Sequence, residues 1–311
     1  MLFSSNFFYL PQNYRIPLDF EKHIQYPSPL RELAHPLFHE KKLRVWLKED
    51  YRTHPALSGN KFRKLKYNLI EAKAKGFRKL LTFGGAHSNH IYAVAAAGPL
   101  FGFQTEALIR GDELHNTSSP TLKFAHQQGM KLHFVSRSDY RQKDKLTASF
   151  VSDQYLIPEG GSNTLALKGC AEMWDEVLEI LQPDHLILAA GTGGTAAGIL
   201  SNAKSQTQVH AVPVLKGGAF IREEVEMLLG TPQRRLTLHT GFHFGGYAKT
   251  NTELSEFIEQ SELLFNTELD HVYTGKMCYA AMQLIAENAF SPGQKIVLYH
   301  SGGLQGKTYL A

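Results

Sequence analysis

The feature that most constrains this chain is the alternation of short apolar runs with helix-forming stretches along most of its 311 residues. "KLLTF" (79 to 83), "QTEALI" (104 to 109), "KLHFV" (131 to 135), "HLILAA" (185 to 190), "QVHAVPV" (208 to 214) and "KIVLYH" (295 to 300) read as buried strands. Between them, "SNHIYAVAAAG" and "TLALKGCAEMWDEVLEILQ" read as helices, the second with Leu165, Met173, Val177 and Leu181 at helical spacing. Strand–helix alternation of this kind predicts an α/β fold with parallel-rich sheets covered by helices. The length exceeds what one core usually serves, so two lobes are expected. A junction is predicted at "PEGGSNT" (158 to 164), where a serine cap candidate precedes the long helix, and "RSDYRQKDKLTASF" (137 to 150) reads as a surface loop or exposed helix.

Bulk charge removes several function classes. A formal net charge of +4 and a pI near 8.8 are too mild for a phosphate-backbone binder, so nucleic acid is not an expected partner. The two cysteines, Cys170 and Cys278, lie far apart without a C-x-x-C spacing, which argues against a disulfide scaffold or zinc ribbon and fits a reducing, cytoplasmic setting. The apolar N-terminus "MLFSSNFFYLPQ" lacks a basic region and a cleavage site and is broken by Pro11. It reads as neither export signal nor anchor. No other run approaches the ~20 apolar residues of a membrane span.

Three glycine turns carry the chemistry. In "HLILAAGTGGTAAGIL" a strand runs into Gly191, Thr192, Gly193, Gly194 and Thr195 and then a small-residue helix, a backbone cradle for an anion such as phosphate. The same letters satisfy G-x-G-x-x-A, so a dinucleotide oxidoreductase is weighed, but the next strand region, "VHAVPVLKGG", lacks the acidic residue that fingerprint needs. In "LLTFGGAHSNHIYAVAAAG", Ser88, Asn89 and His90 open a helix where a carboxylate would sit well; Ser88 or Asn89 as a plain helix cap is the alternative. His87 and His90 lack a spaced third ligand, so no metal is predicted. The third turn, "KIVLYHSGGLQG", ends a strand in Ser301, Gly302 and Gly303. All three lie at carboxyl ends of strands, the ligand-binding edge of open α/β sheets.

The remaining question is the run "SGNKFRKLKYN", where Lys61, Arg63, Lys64 and Lys66 interleave with Phe62 and Leu65. A lysine among lysines is ordinarily solvated. Gly59 and Asn60, however, place Lys61 at a turn before a helix, and a lysine amine, an aldehyde cofactor with a phosphate tail and an amino acid carboxylate form one chemical set.

Together "SGNKFRKLKYN", "GGAHSNH", "GTGGTAAG", "VYTGK" and "HSGGL", in this order over most of the chain, resemble the 1-aminocyclopropane-1-carboxylate deaminase and D-cysteine desulfhydrase family of pyridoxal-phosphate enzymes, of the tryptophan-synthase-β fold type. The resemblance implies a two-lobed fold type II enzyme with pyridoxal 5'-phosphate in the interdomain cleft. Residues 1–61 and 163–311 would form the large lobe and 62–162 the small one. It implies that Lys61 holds the cofactor as a Schiff base and then moves protons, that Asn60 and Asn89 lie near the ring hydroxyl, and that Ser88, with Asn89 and His90, addresses the substrate carboxylate. Gly191 through Thr195 take the phosphate, with Lys64 adding charge; Arg63 and Lys66 are left for solvent. Tyr273 is placed as acid, base or stacking group, and Thr274 opposite the pyridine nitrogen. Tyr247 is either a second family tyrosine or a packing residue. A neutral hydroxyl at Thr274 favours D-cysteine desulfhydrase-like β-elimination giving pyruvate, ammonia and sulfide over 1-aminocyclopropane-1-carboxylate (ACC) deamination to 2-oxobutanoate. A PLP-binding protein without turnover is the third option, and a homodimer is the family expectation.

Overall fold

The structure, a computed structural model, describes residues 18–148 and 153–309, so the N-terminal "MLFSSNFFYLPQ" and the last residues of the 137 to 150 segment lie outside it. In chain order the elements are β1 (Leu30–Leu33), α1 (Pro36–Glu40), β2 (Arg44–Glu49), α2 (Gly59–Ala74), β3 (Lys79–Gly84), α3 (Asn89–Phe101), β4 (Gln104–Arg110), α4 (Pro120–Gln127), β5 (Lys131–Val135), α5 (Arg137–Tyr140), α6 (Lys143–Ala148) and β6 (Gln154–Leu156). They continue with α7 (Thr164–Leu178), β7 (His185–Ala190), α8 (Gly194–Leu200), β8 (Gln208–Pro213), α9 (Ile221–Leu229), β9 (Leu236–Leu238), α10 (Thr252–Phe265), α11 (Thr274–Ala286) and β10 (Lys295–His300).

Two sheets result. One is six-stranded, in the order β1-β2-β10-β7-β8-β9, parallel except for β1 against β2. The other is four-stranded, β5-β4-β3-β6, and wholly parallel. The continuous apolar runs of β7 and β10 follow from this. Helices cover both faces, so Leu186, Leu188 and Val297 pack into one core while Ile187, Ile296 and Leu298 pack into another. The smaller sheet is buried likewise, with Leu80 and Ala107 in a core shared with Phe62, Leu65 and Leu69 of α2, and Leu81, Phe83 and Leu108 on the opposite side.

Two details differ from the sequence-based expectation. The long helix is capped by Asn163, whose side chain accepts from the Ala166 N–H at 3.0 Å, not by Ser162. Asparagine wins because its extended backbone turns its amide oxygen back onto the first helical turn. Ser162 is thereby released for another task. Lys61 lies within the first turn of α2, not in a turn ahead of it, because the helix already starts at Gly59. There φ is +59°, and a Cβ would fall 2.0 Å from the Ser301 carbonyl oxygen. Only glycine allows α2 to begin against the end of β10, and the Asn60 N–H bonds to that carbonyl at 3.1 Å.

Candidate active site

The carboxyl ends of β3 and β7 and the start of α2 surround a cavity of about 770 Å³. Its walls include Asn60, Lys61, Lys64, Ser88, Asn89 and His90 from one side. Gly191, Thr192, Gly193, Thr195, Tyr247 and Tyr273 close the other. The third glycine turn, Ser301 to Gly303, lines a small recess sharing Asn60, Lys61, Asn89 and Tyr273.

Lys61 and the glycine cradle are joined by one side chain. The Lys61 ammonium donates to Asn60 Oδ1 at 3.1 Å, and Asn60 Nδ2 donates to Thr195 Oγ1 at 3.0 Å. Burial lowers the Lys61 pKa to about 7, helped by the positive charge of Lys64 and only partly offset by Cys170 and Asp270. Lys64 reaches the same cradle: its Nζ donates to Gly160 O at 3.2 Å, Ser162 Oγ at 3.0 Å and Thr192 Oγ1 at 3.4 Å. Burial lowers its pKa too. Among the described residues neither amine has an ion-pair partner. A Cβ at Gly194 would stand 2.5 Å from Ser162 Oγ and 3.0 Å from Lys64 Nζ, so both side chains come this close to the cradle's backbone because residue 194 has no side chain.

His90 adds an acceptor. Thr82 spends its hydroxyl proton on Ile157 O at 2.9 Å, so the 2.8 Å contact to His90 Nε2 has the ring nitrogen donating. Nδ1 is then a bare lone pair, buried and without a partner. Burial, with Lys61 and Lys64 nearby, holds the ring neutral, its pKa well below the usual value. The ring lines the cavity and lies beside Gly161, where a Cβ would come 3.3 Å from Nδ1. Ser88 caps α3, its Oγ accepting from Ile91 N–H at 3.3 Å, and still lines the cavity.

On the opposite wall Tyr273 lies against Gly191, and its hydroxyl donates to that of Tyr247 at 3.5 Å, with the rings edge to face at 6.1 Å. Tyr247 is therefore part of the cavity wall, 44% exposed. Burial raises the Tyr273 pKa well above the usual value, reinforced by Tyr247 and Asp270, which suits a proton holder and not a base at neutral pH. Thr274 is wholly buried; its hydroxyl donates to Asp270 Oδ2 at 2.6 Å and accepts the Asp270 N–H at 2.9 Å. That hydroxyl has no proton left to offer. Asp270 also accepts from the N–H groups of Val272, Tyr273 and Thr274 at 2.8, 2.7 and 2.9 Å.

The expectation that Arg63 and Lys66 face solvent is wrong. Arg63 is 1% exposed, bonded to Asp50 at 2.7 Å and Glu176 at 2.6 Å. Lys66 pairs with Glu172 at 2.7 Å. Helix α2 packs against α7, which brings Glu172 and Glu176 to its flank. Sequence reasoning also missed Ser162 and Asp270. The first was hidden by its reading as a cap; the second had a visible signal, an aspartate followed within four residues by the amides it caps.

A family profile described as "Pyridoxal-phosphate dependent enzyme" matches residues 22–302. A bifunctional D-cysteine desulfhydrase/1-aminocyclopropane-1-carboxylate deaminase from Arabidopsis thaliana is 30% identical over 292 residues, 84% of this chain and 73% of that protein. A putative 1-aminocyclopropane-1-carboxylate deaminase from Pyrococcus abyssi is 26% identical over 93% of this chain and 91% of its own length. Among solved structures, an ACC deaminase homologue superposes with a TM-score of 0.79 at 26% identity, covering 93% of this chain and 92% of that one.

Proposed function

This chain belongs to the 1-aminocyclopropane-1-carboxylate deaminase and D-cysteine desulfhydrase family of pyridoxal-phosphate dependent enzymes, and we propose that it catalyses β-elimination on a small amino acid, D-cysteine first among them. The overall change is D-cysteine plus water to pyruvate, ammonia and hydrogen sulfide. ACC plus water to 2-oxobutanoate and ammonia is the alternative, favoured by the names of the relatives.

The residues present fit the family's cofactor. Two amines without ion-pair partners among the described residues, both of lowered pKa, and a glycine turn on which a Cβ at residue 194 would collide with Ser162 and Lys64 suit an aldehyde with a dianionic tail. Lys61 would bind it covalently; Lys64, Ser162, Thr192, Thr195 and the 191–195 amides would hold the phosphate. When bound, pyridoxal phosphate withdraws the electrons left at the substrate α-carbon. We assign the part of the large cavity bounded by Asn60, Lys61 and Asn89 to the ring, and 62–162 to a smaller lobe inserted into 1–61 and 163–311.

The chain's own groups then divide the work. Lys61, with its amine near half neutral at pH 7, takes the α-proton once displaced. Ser88 and the first amides of α3 orient the substrate carboxylate. Tyr273 and Tyr247 shield the reacting face and hold a proton for the leaving thiolate. Thr274, assigned to the pyridine-nitrogen side, is wholly buried with its hydroxyl proton committed to the Asp270 carboxylate.

The observation that carries this reading is the Lys61–Asn60–Thr195 chain, which ties a buried amine of lowered pKa to the anion cradle. To test it, sulfide and keto acid are measured with D-cysteine, L-cysteine, D-serine and ACC. Sulfide and pyruvate from D-cysteine are the expected result. ACC turnover without D-cysteine turnover selects the alternative, and silence on all four overturns both in favour of a binding protein without turnover.

A further inference from the structure

We propose that Lys276 is a positioning residue: its ammonium grips the 243–246 turn and thereby holds Tyr247 against Tyr273 at the cavity. Lys276 sits in the first turn of α11, fully buried, three residues after Tyr273. A cation is poorly placed at a helix N-terminus, where the backbone dipole is already positive, so something must compensate it. Three carbonyl oxygens do. Nζ donates to Gly246 O at 2.8 Å, His243 O at 2.9 Å and Val214 O at 3.4 Å, which uses all three ammonium protons.

Two of those carbonyls belong to a turn that would not hold its shape unaided. Phe244, Gly245, Gly246 and Ala248 have φ values of 50°, 90°, 129° and 54°, and two of them are residues for which this region is unfavourable. The turn's own bonds are few: Gly246 N–H to His243 O at 3.0 Å, Lys249 N–H to Gly246 O at 3.1 Å and Gly245 N–H to His243 Nδ1 at 3.0 Å. Tyr247 is the residue immediately after the gripped Gly246 carbonyl. One side chain therefore ties the helix that starts at Tyr273 to the turn that presents Tyr247. No contact of Lys276 with the cavity is needed for this, and neither cavity is lined by it.

The kinetic consequence rests on the cavity being the active site; the grip itself does not. The test therefore has two arms, on the cofactor-loaded protein. In Lys276→Met, which keeps length and removes the donors, amide exchange of the 240–250 segment is expected to rise about tenfold or more, with β7 and α10 unchanged. In Lys276→Ala, propylammonium but not 1-propanol is expected to restore protection. In both variants kcat for the substrate turned over falls about tenfold while cofactor absorbance is retained. Unchanged exchange at 240–250 in folded Lys276→Met overturns the proposal, as does a rise spread equally over the protein. Loss of the grip in a protein silent on every substrate sustains the proposal and sinks only the catalytic reading.

Should the variants not fold, the wild-type protein carries the test. Burial lowers the Lys276 pKa to about 8, and deprotonation turns a lone pair onto one of three carbonyls. Protection of 240–250, corrected for intrinsic base dependence, is then expected to fall between about pH 7 and about pH 9.5. Asp270 faces the ammonium from the loop before α11, His243, Tyr247 and Lys249 lie on the turn, and Lys216 flanks it after β8. Constant protection across that range overturns the grip.

Discussion

Two flanks of α2 carry the same chemistry to opposite ends. Lys61 and Lys64, three residues apart, enter the cavity and meet amide, hydroxyl and carbonyl oxygens but no ion-pair partner. Arg63 and Lys66, also three apart, leave from the other flank and meet Asp50, Glu176 and Glu172. Burial does not separate the pairs, since Arg63 and Lys64 are 1% and 2% exposed. The partners do. A buried cation with its counter-charge in place is scaffold, whereas one without an ion-pair partner has a lowered pKa and is suited to meet an anion or an electrophile.

The largest expected effect comes from the cavity flank. Lys61→Ala is expected to cut turnover at least about 10³-fold without lowering the unfolding midpoint. Its pH dependence gives a sharper check. The folded pKa of Lys61 is about 7 and the ordinary value 10.5, so above pH 7 the unfolded chain holds more of this proton than the folded one. Wild-type stability therefore gains with rising pH across that window relative to the variant. Urea midpoints of the cofactor-free proteins compared near pH 7 and near pH 10 read this directly. A variant destabilised at every pH would make Lys61 scaffold, and the contrast between the flanks would be lost.

Arg63→Met comes next and moves the other observable. Burial alone pushes the Asp50 carboxyl up, but the charge and hydrogen bonds of Arg63, with Lys48 and Tyr299, hold it below its usual range. Asp50 also accepts from Ser28 Oγ at 2.8 Å and Tyr299 Oη at 2.7 Å. Removing the guanidinium strands Asp50, while Glu176 keeps Lys48 at 2.6 Å, a loss of about 3 to 5 kcal/mol near pH 7. Its pH course has a fixed sign. In the wild type the depressed Asp50 pKa supplies stability above the carboxylate's ordinary value, 3.8, and loses it as pH falls; in the variant protonation relieves the stranded charge, so the deficit narrows in acid. Residual folded enzyme is expected to keep its kcat. A selective loss of kcat at full stability would move Arg63 to the chemical flank.

What the sequence made legible follows the same division. Strands whose burial is apolar on both faces, such as β7 and β10, announce themselves, and so do glycine turns, because the backbone there tolerates no other residue. β2 does not. "RVWLKE" buries Lys48 and Glu49, and Lys48 is rendered harmless by Glu176, 128 positions away. β6 and β9 are three residues each, too short for a periodic pattern. For the candidate site, Lys61, Asn60, Gly191, Thr192, Gly193, Thr195 and Tyr273 line one cavity. The fates of Arg63 and Lys66 were illegible because a cation's role is set by what lies across from it, and Asp50, Glu172 and Glu176 reach α2 only through the packing of α7 and the segment after β2. Thr274 reads in the sequence as a neutral hydroxyl; that its proton is committed to Asp270 emerges only from the fold.

Lys66→Ala tests whether pairing or depth sets the size of the effect on the scaffold flank. Its ammonium lies 2.7 Å from Glu172, with side-chain exposures of 13% and 33%, and 5.3 and 5.4 Å from the rings of Tyr26 and Tyr67. Water reaches Glu172, and the Tyr67 hydroxyl already donates to it, so that carboxylate is not stranded when Lys66 is removed. The expected loss is at most about 1 kcal/mol, screened further by salt, with kcat and cofactor binding unchanged. Measured beside Arg63→Met in the same urea titration, it separates two causes. If both substitutions cost the same, the number of stranded carboxylates is irrelevant and the packing of each aliphatic stem explains the flank. If Arg63→Met costs several times more, the difference comes from leaving Asp50 buried without its guanidinium.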